Sequence, residues 1–173
     1  MKQYFFVFQN LNFEHESTRG YLWCPYVDRR GAKHFYWDNI EKLKIGDVLL
    51  HGANHKIVGI SIVIDECFNS IRSEERIKKG INKSDIENRK TEIGRQVNTK
   101  YIKFDKPVLT RSIISVIIKY CKNNKFAPFN KEGKGKMGYI FEISEDFFNS
   151  LLKSVLNENI KYENEINQFI LNK

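Results

Sequence analysis

Four histidines (His15, His34, His51, His55) and three cysteines (Cys24, Cys67, Cys121) are the side chains here best suited to metal binding or nucleophilic chemistry. Their spacing supports neither. The histidines make no His-Glu-x-x-His or His-x-His pattern, and none has a cysteine partner at metal-site spacing. Cys24 sits among aromatics with no neighbour that would activate its thiol. The cysteines are odd in number and widely spaced, so they read as reduced, buried thiols of a cytoplasmic protein. No serine occupies a nucleophile elbow, and the glycine-rich stretch 131–138 lacks the Walker spacing. Asp105 with Glu132-Gly133-Lys134 has the composition of a Mg²⁺-dependent nuclease. Yet the triplet lies in a glycine loop that places it poorly, and no second carboxylate stands close by. A small nuclease is therefore the third reading. The first expectation is a chain with no catalytic residue, no metal and no cofactor.

The aromatic residues suggest binding chemistry. Both tryptophans, Trp23 and Trp37, lie in the N-terminal third with Tyr21, Tyr26, Phe35 and Tyr36, and Arg19, Arg29, Arg30 and Lys33 are interleaved with them. Flat π-faces beside cations are what an unstacked base on a phosphate backbone requires, each stacked base being worth ~1–3 kcal/mol. The same rings would equally serve as a core cluster. In the loop 131–138, Gly133, Gly135 and Gly138 expose backbone amides while Lys134 and Lys136 supply charge, so phosphates could lie along it; a flexible hairpin with solubilising lysines is the plainer reading.

The elements that must position these residues are those of one small domain. The chain has 173 residues, 41% hydrophobic, and carries 29 Lys and Arg against 21 Asp and Glu, a net charge of +8 that makes a polyanion the first partner to consider. No stretch approaches the ~18–20 apolar residues of a spanning helix, so no membrane partner is expected, and the amino end shows no secretory signal. Residues 4–9 read as a strand ending at the amides of Asn10 and Asn12, followed by a loop through residues 14–20. Pro25 confines Trp23 to an edge strand or loop. Asp38 is a candidate cap of a short helical turn that faces Ile40 and Leu43 inward. Residues 48–51 and 56–64, joined through Gly52-Ala53-Asn54-His55, form an antiparallel hairpin, and Gly59 marks a bulge. Residues 70–95 are charged and sparse in aromatics, a solvated helix or mobile excursion. A strand over 97–104 closes at Asp105-Lys106-Pro107; a buried helix spans 110–122; a last strand spans 139–143, and Ser144 caps the helix after it. The sum is an α+β fold with a curled, mostly antiparallel sheet of five to six strands flanked by helices. Residues 1–157 form the domain, and 158–173 a C-terminal helical extension or linker.

The ordered blocks Tyr4-Phe5-Phe6-Val7-Phe8-Gln9-Asn10, Gly20-Tyr21-Leu22-Trp23-Cys24-Pro25, Trp37, Lys44-Ile45-Gly46-Asp47-Val48-Leu49-Leu50-His51, Ile57-Val58-Gly59-Ile60-Ser61 and Gly138-Tyr139-Ile140-Phe141-Glu142-Ile143 resemble the EVE-like branch of the PUA superfamily, and beyond it the related YTH domains. Such domains stand alone or at the front of modification-dependent restriction proteins, including McrB-type motor subunits and HNH endonucleases. The resemblance implies a PUA-like barrel that reads a modified base in DNA by flipping it into an aromatic pocket, as the non-catalytic targeting domain of a restriction system. A nuclease or AAA+ motor would then be its partner, and reading modified RNA is the alternative. By the same resemblance, Trp23 forms one cage wall, with Tyr21 beside it, and Asn10 and Asn12 bond the base edge. His51 to Asn54 stand at the pocket mouth, and Lys134 and Lys136 lie near the nucleic-acid backbone; Arg19, Arg29, Arg30 and Lys33, from the interleaving of cations with aromatics, are expected to meet it too. This chain lacks the second tryptophan that YTH cages place after the central hairpin, so Trp37, Phe68 or Tyr101 must supply the second wall.

Overall fold

Apolar residues on both faces of the first strand require cover on both sides, and that requirement organises the molecule. The structure, a computed structural model, describes residues 2–28, 30–72 and 92–171. Strands β1 (Tyr4–Phe8), β2 (Tyr21–Pro25), β3 (Val48–Ala53), β4 (Lys56–Val63), β5 (Phe68–Ile71), β6 (Ile93–Leu109) and β7 (Ile140–Ile143) form one sheet in the order β2-β6-β4-β3-β1-β7, with β5 also paired to β6. Only β1 and β3 run parallel among the described pairs; the others are antiparallel, and the sheet curls into a half-barrel. The helices are α1 (Phe13–Arg19), α2 (Phe35–Asp38), α3 (Ile114–Cys121), α4 (Glu145–Leu156) and α5 (Glu163–Leu171).

Strand alternation assigns the two covers. Tyr4, Phe6, Val48, Leu50 and Ile60 meet Phe148, Leu151 and Val155 of α4 and Ile166 and Phe169 of α5. Phe5, Val7 and Leu49 point the other way, into the curl, against Leu22 and Cys24 of β2 and against Ile40 and Leu43. Each fully buried side chain of this size contributes about 1.5–3 kcal/mol. Docking of α5 ties residues beyond 158 to this core, and Lys2 Nζ donates to the carbonyls of Phe169 and Ile170. Ser144 caps α4 as expected, its hydroxyl accepting from Phe147 N at 3.3 Å.

The β3–β4 hairpin closes on Asn54 and His55, both left-handed (φ 49° and 61°), the backbone that a two-residue hairpin loop matched to strand twist requires. Gly59 does sit at a register shift, and a Cβ there would approach Ile102 O to 2.8 Å.

Four local expectations need correction. Residues 13–19 form α1 rather than a loop: Gly20 ends the helix in the left-handed region (φ 71°), its N–H returned to Glu16 O, while Phe13, Glu16 and Ser17 bury one face. The strand expected to close at 105–107 continues to Leu109, because β4 pairing skips from Val108 to Lys103 and leaves Pro107 at an unpaired position. Asp38 makes no side-chain cap; its carboxylate instead takes Arg95 Nη1 at 2.9 Å. Cys67 is only half-buried, unlike Cys24 and Cys121, and all three thiols are free. Most of the charged stretch read as a helix or excursion, residues 73–91, lies outside the described residues, as does Arg29. Among the described residues no helix is long and apolar enough to cross a membrane.

Candidate nucleic-acid interface

Where β1 runs out and β2 turns away, the chain leaves a cavity of about 470 Å³, within the range of small-molecule sites. The end of β1 contributes Phe8 and Gln9, and the single 3-10 turn after it contributes Asn10, Leu11 and Asn12. Pro25, Val27 and Asp28 come from the end of β2, Trp37 from α2, and Gly138 and Tyr139 from the approach to β7. Arg72 and Glu92 close one side, joined by an ion pair of 3.1 Å. An indole, three amides and two carboxylates therefore share one cavity.

Trp37 is held there by a chain of local contacts. Asp28 Oδ1 accepts the N–H groups of Arg30 and Ala32 at 2.8 and 2.9 Å, folding the basic turn, while its Oδ2 lies 3.0 Å from His34 Nε2. The hydrogen bond from His34, then those from the backbone, hold the Asp28 carboxyl below its usual range. The His34 ring in turn stacks on Tyr36 at 5.0 Å and meets Trp37 edge-on at 4.8 Å. Asp28 thus sets both the basic turn and, through His34, the indole. An Asp three residues ahead of a Gly, here Asp28 and Gly31, is a legible turn signal that the sequence reading passed over.

The floor is polar and buried. Gln9 Nε2 donates to Glu16 Oε2 at 2.5 Å and to Tyr101 OH at 3.1 Å, and Tyr139 OH donates to the same Glu16 oxygen at 3.0 Å. Burial first, then the nearby Glu16 charge, pushes the Tyr101 phenol well above its usual range. Gln9 Oε1 finds no partner among the described residues. Sequence inspection missed Gln9, Glu16 and Tyr139 because nothing local marks a carboxylate as the centre of a long-range network.

A second cavity of about 280 Å³ shares Phe8, Asn10 and Gly138 with the first. It lies between the hairpin tip (Gly52 to Lys56) and the glycine-lysine loop (Gly135 to Met137). Asn10, itself left-handed at φ 40°, links the two sides by accepting Asn54 N at 3.2 Å.

Of the expected pocket residues, Asn10, Asn12 and Trp37 line the larger cavity and Asn54 lines the smaller. Trp23, Tyr21 and His51 do not. Trp23 is only 1% exposed: Nε1 donates to Ser70 O at 3.3 Å and the Arg72 guanidinium covers its ring at 4.7 Å. It is Arg72, lying on that indole, that reaches the cavity. Tyr21 is buried with its OH 2.7 Å from His15 Nε2. His51 points into the core, 2.7 Å from Ser61 Oγ, and desolvation lowers its pKa to about 3. An alternating strand cannot send both His51 and its neighbours to one mouth. Phe68 and Tyr101 line neither cavity, which leaves Trp37, of the three candidates for the second wall, as the one that lines the larger cavity, beside Phe8 and Tyr139.

The cations divide. Arg30 and Lys33 are exposed on the turn that Asp28 folds, Arg19 is exposed on α1, and Lys136 lines the smaller cavity while its Nζ donates to Asn124 O and Lys125 O. Lys134 is exposed and pairs with Glu132 at 3.1 Å. Asp105 pairs instead with Lys161 and Tyr162, while Glu132 pairs with Lys134, so the residues of the nuclease reading fall in two separate contacts. No group of three or more potential metal ligands occurs among the described residues.

No protein-family model matches the chain, and no curated protein does either. Solved structures do. A hypothetical protein from Leishmania major matches with TM-score 0.58 at 10% identity, over 91% of this chain and 96% of that one. The N-terminal domain of Staphylothermus marinus McrB matches with TM-score 0.51 at 12% identity, over 88% and 94%. The Pho92 YTH domain, solved in complex with m6A, matches with TM-score 0.52 at 12% identity, over 89% and 83%. At these identities the likeness is one of fold: the chain has a curled α+β fold like that of the McrB N-terminal domain and the Pho92 YTH domain.

Proposed function

We propose that the protein is a non-catalytic reader of a modified base in DNA, and that the 470 Å³ cavity receives that base after it is flipped from the stack. The observation that carries this reading is the joint presence in one cavity of Trp37 and of the amide-bearing residues Gln9, Asn10 and Asn12. An amide offers a donor and an acceptor to a base edge, so the wrong base leaves buried groups unpaired. A methyl group in an apolar slot gains only about 1 kcal/mol, so discrimination depends on the whole cavity rather than on one contact. Flipping costs a few kcal/mol, which stacking and phosphate contacts must offset. A net charge of +8 suits the phosphate part, with Arg30, Lys33, Lys131 and Lys134 at the exposed surface.

On this reading the natural role is targeting within a cytoplasmic restriction system, with a nuclease or an AAA+ motor as partner. RNA is the second reading, supported by the m6A-bound YTH domain of the same fold. The test is a binding panel of duplexes identical except for one methylated base, repeated with the matching RNA. Trp37→Ala should reduce the preference for the modified base by about tenfold or more, in line with the value of one stacked base, and leave salt-dependent background binding in place. Preference that survives in a folded Trp37→Ala variant rules the cavity out.

A further inference from the structure

We propose, building on that base-reading role, that Leu11 and Met137 form a two-pronged wedge that enters the base stack of duplex DNA and fills the gap left by the extruded base. Met137 is 92% exposed and Leu11 72% exposed, yet both stand on backbone that is held tightly. Met137 lines the smaller cavity and Leu11 the larger, and those two cavities meet at Phe8, Asn10 and Gly138.

The Met137 loop is built to present a side chain rather than to flex. Asn130 Oδ1 accepts the N–H groups of Glu132 and Lys134, both at 2.9 Å, and Gly133 turns the chain at φ 75°. Lys136 N donates to Pro128 O at 2.8 Å, immediately before Met137. Gly138, immediately after, presses against Phe141, where a Cβ would lie 2.3 Å from the ring. On the other side, Leu11 sits in a 3-10 turn closed by Asn12 N to Gln9 O at 2.8 Å. Asn10 fixes that turn to the hairpin by accepting Asn54 N.

Rigid apolar prongs beside a base-sized cavity have a defined use in duplex recognition. Side chains of the Leu and Met type enter between base steps, partly unstack them, and occupy the space a flipped nucleotide vacates. The surroundings suit a polyanion, since Lys134 and Lys136 precede Met137 and Lys56 lines the same cavity. A single strand has no gap to fill, so the wedge specifies the duplex.

The test compares Met137→Ala and Leu11→Ala with the unaltered chain on two probes, a duplex carrying one methylated base and the same strand alone. Both positions are solvent-exposed, so thermal unfolding should be unchanged, which separates a binding loss from a folding loss. The expected result is about a tenfold weaker affinity of each variant for the duplex; Met137→Ala, which lies outside the base cavity, should change single-strand binding within about twofold, and Leu11→Ala, which borders that cavity, should lose more on the duplex than on the single strand. Equal losses on both probes, or no loss on the duplex, would overturn the wedge. Preference of the unaltered chain for methylated over plain single strand reports separately on the base-reading role. If that preference is missing, the base-reading role and the wedge built on it both fail; if it is present and the variants lose nothing extra on the duplex, only the wedge fails.

Discussion

Gly94→Ala is expected to lower stability by about 3 kcal/mol, the upper part of the range for overpacked sites. A Cβ at Gly94 would lie 2.4 Å from Cys24 O and 2.4 Å from the Trp23 ring. Neither can give easily. The carbonyl belongs to β2, and Gly94 itself pairs with Pro25 of β2 and Ser70 of β5. The ring is sealed between β5, Arg72 and the sheet. Displacing it would also strain the neighbouring Arg95, which is 3% exposed and is held by Asp38 at 2.9 Å, Glu41 at 3.0 Å and Pro25 O at 3.1 Å. Chemical denaturation of the variant should show the lowered midpoint. A variant as stable as the parent would mean that Trp23 is not packed as described.

Acid should weaken the fold through His51. Its folded pKa lies at about 3 against an ordinary 6.5, because burial beside Ser61 and the rings of Phe13 and Tyr101 disfavours the imidazolium. Below pH 6.5 the unfolded chain therefore takes up a proton that the folded chain refuses, and stability falls as pH drops toward 3. At pH 5, 1.5 units below 6.5, the loss from this one group is about 2 kcal/mol, at about 1.4 kcal/mol per unit. Unfolding curves at pH 7.5 and 5 should show that drop in the parent chain. His51→Gln, though less stable at pH 7.5, should lose about 2 kcal/mol less between the two conditions. The same pH dependence in both proteins would place the acid sensitivity elsewhere.

Both effects bear on what could be read without coordinates. The β3–β4 hairpin was legible because strand period and turn chemistry are local: alternation on both sides of Asn54 and His55, and a glycine at the bulge. The apolar face of α4 and its Ser144 cap were legible for the same reason. Trp23 was not. Whether an indole on an edge strand faces a cavity or a neighbour depends on what arrives from far along the chain. Here Ser70, Arg72 and Gly94 arrive and cover it. Trp37, half-buried on a helix of four residues, had no periodicity to mark it, and its position follows from Asp28 and His34. The buried Glu16 network was equally silent, since Gln9, Tyr101 and Tyr139 lie on three strands or strand ends separated by up to 130 residues. His51 was misread for a simpler reason. Proximity in sequence to the hairpin tip says nothing about which face of an alternating strand a residue occupies.

The resulting picture is of a curled sheet whose first strand ends at a polar-floored cavity, with one indole on its wall and apolar prongs on its rim. On the proposed reading, stability and recognition use different tryptophans. Trp23 belongs to the interior, and Trp37 belongs to the cavity.

That division can be read directly by nuclear magnetic resonance, since the chain has two indole N–H groups and Trp37→Phe assigns them. Titration with a duplex carrying a methylated base is expected to shift or broaden the Trp37 signal, with a smaller response from Trp23 and no comparable change on adding the unmethylated duplex. A response confined to Trp23, or an unmoved Trp37 signal at saturating methylated duplex, would contradict the assignment of the cavity as the base site.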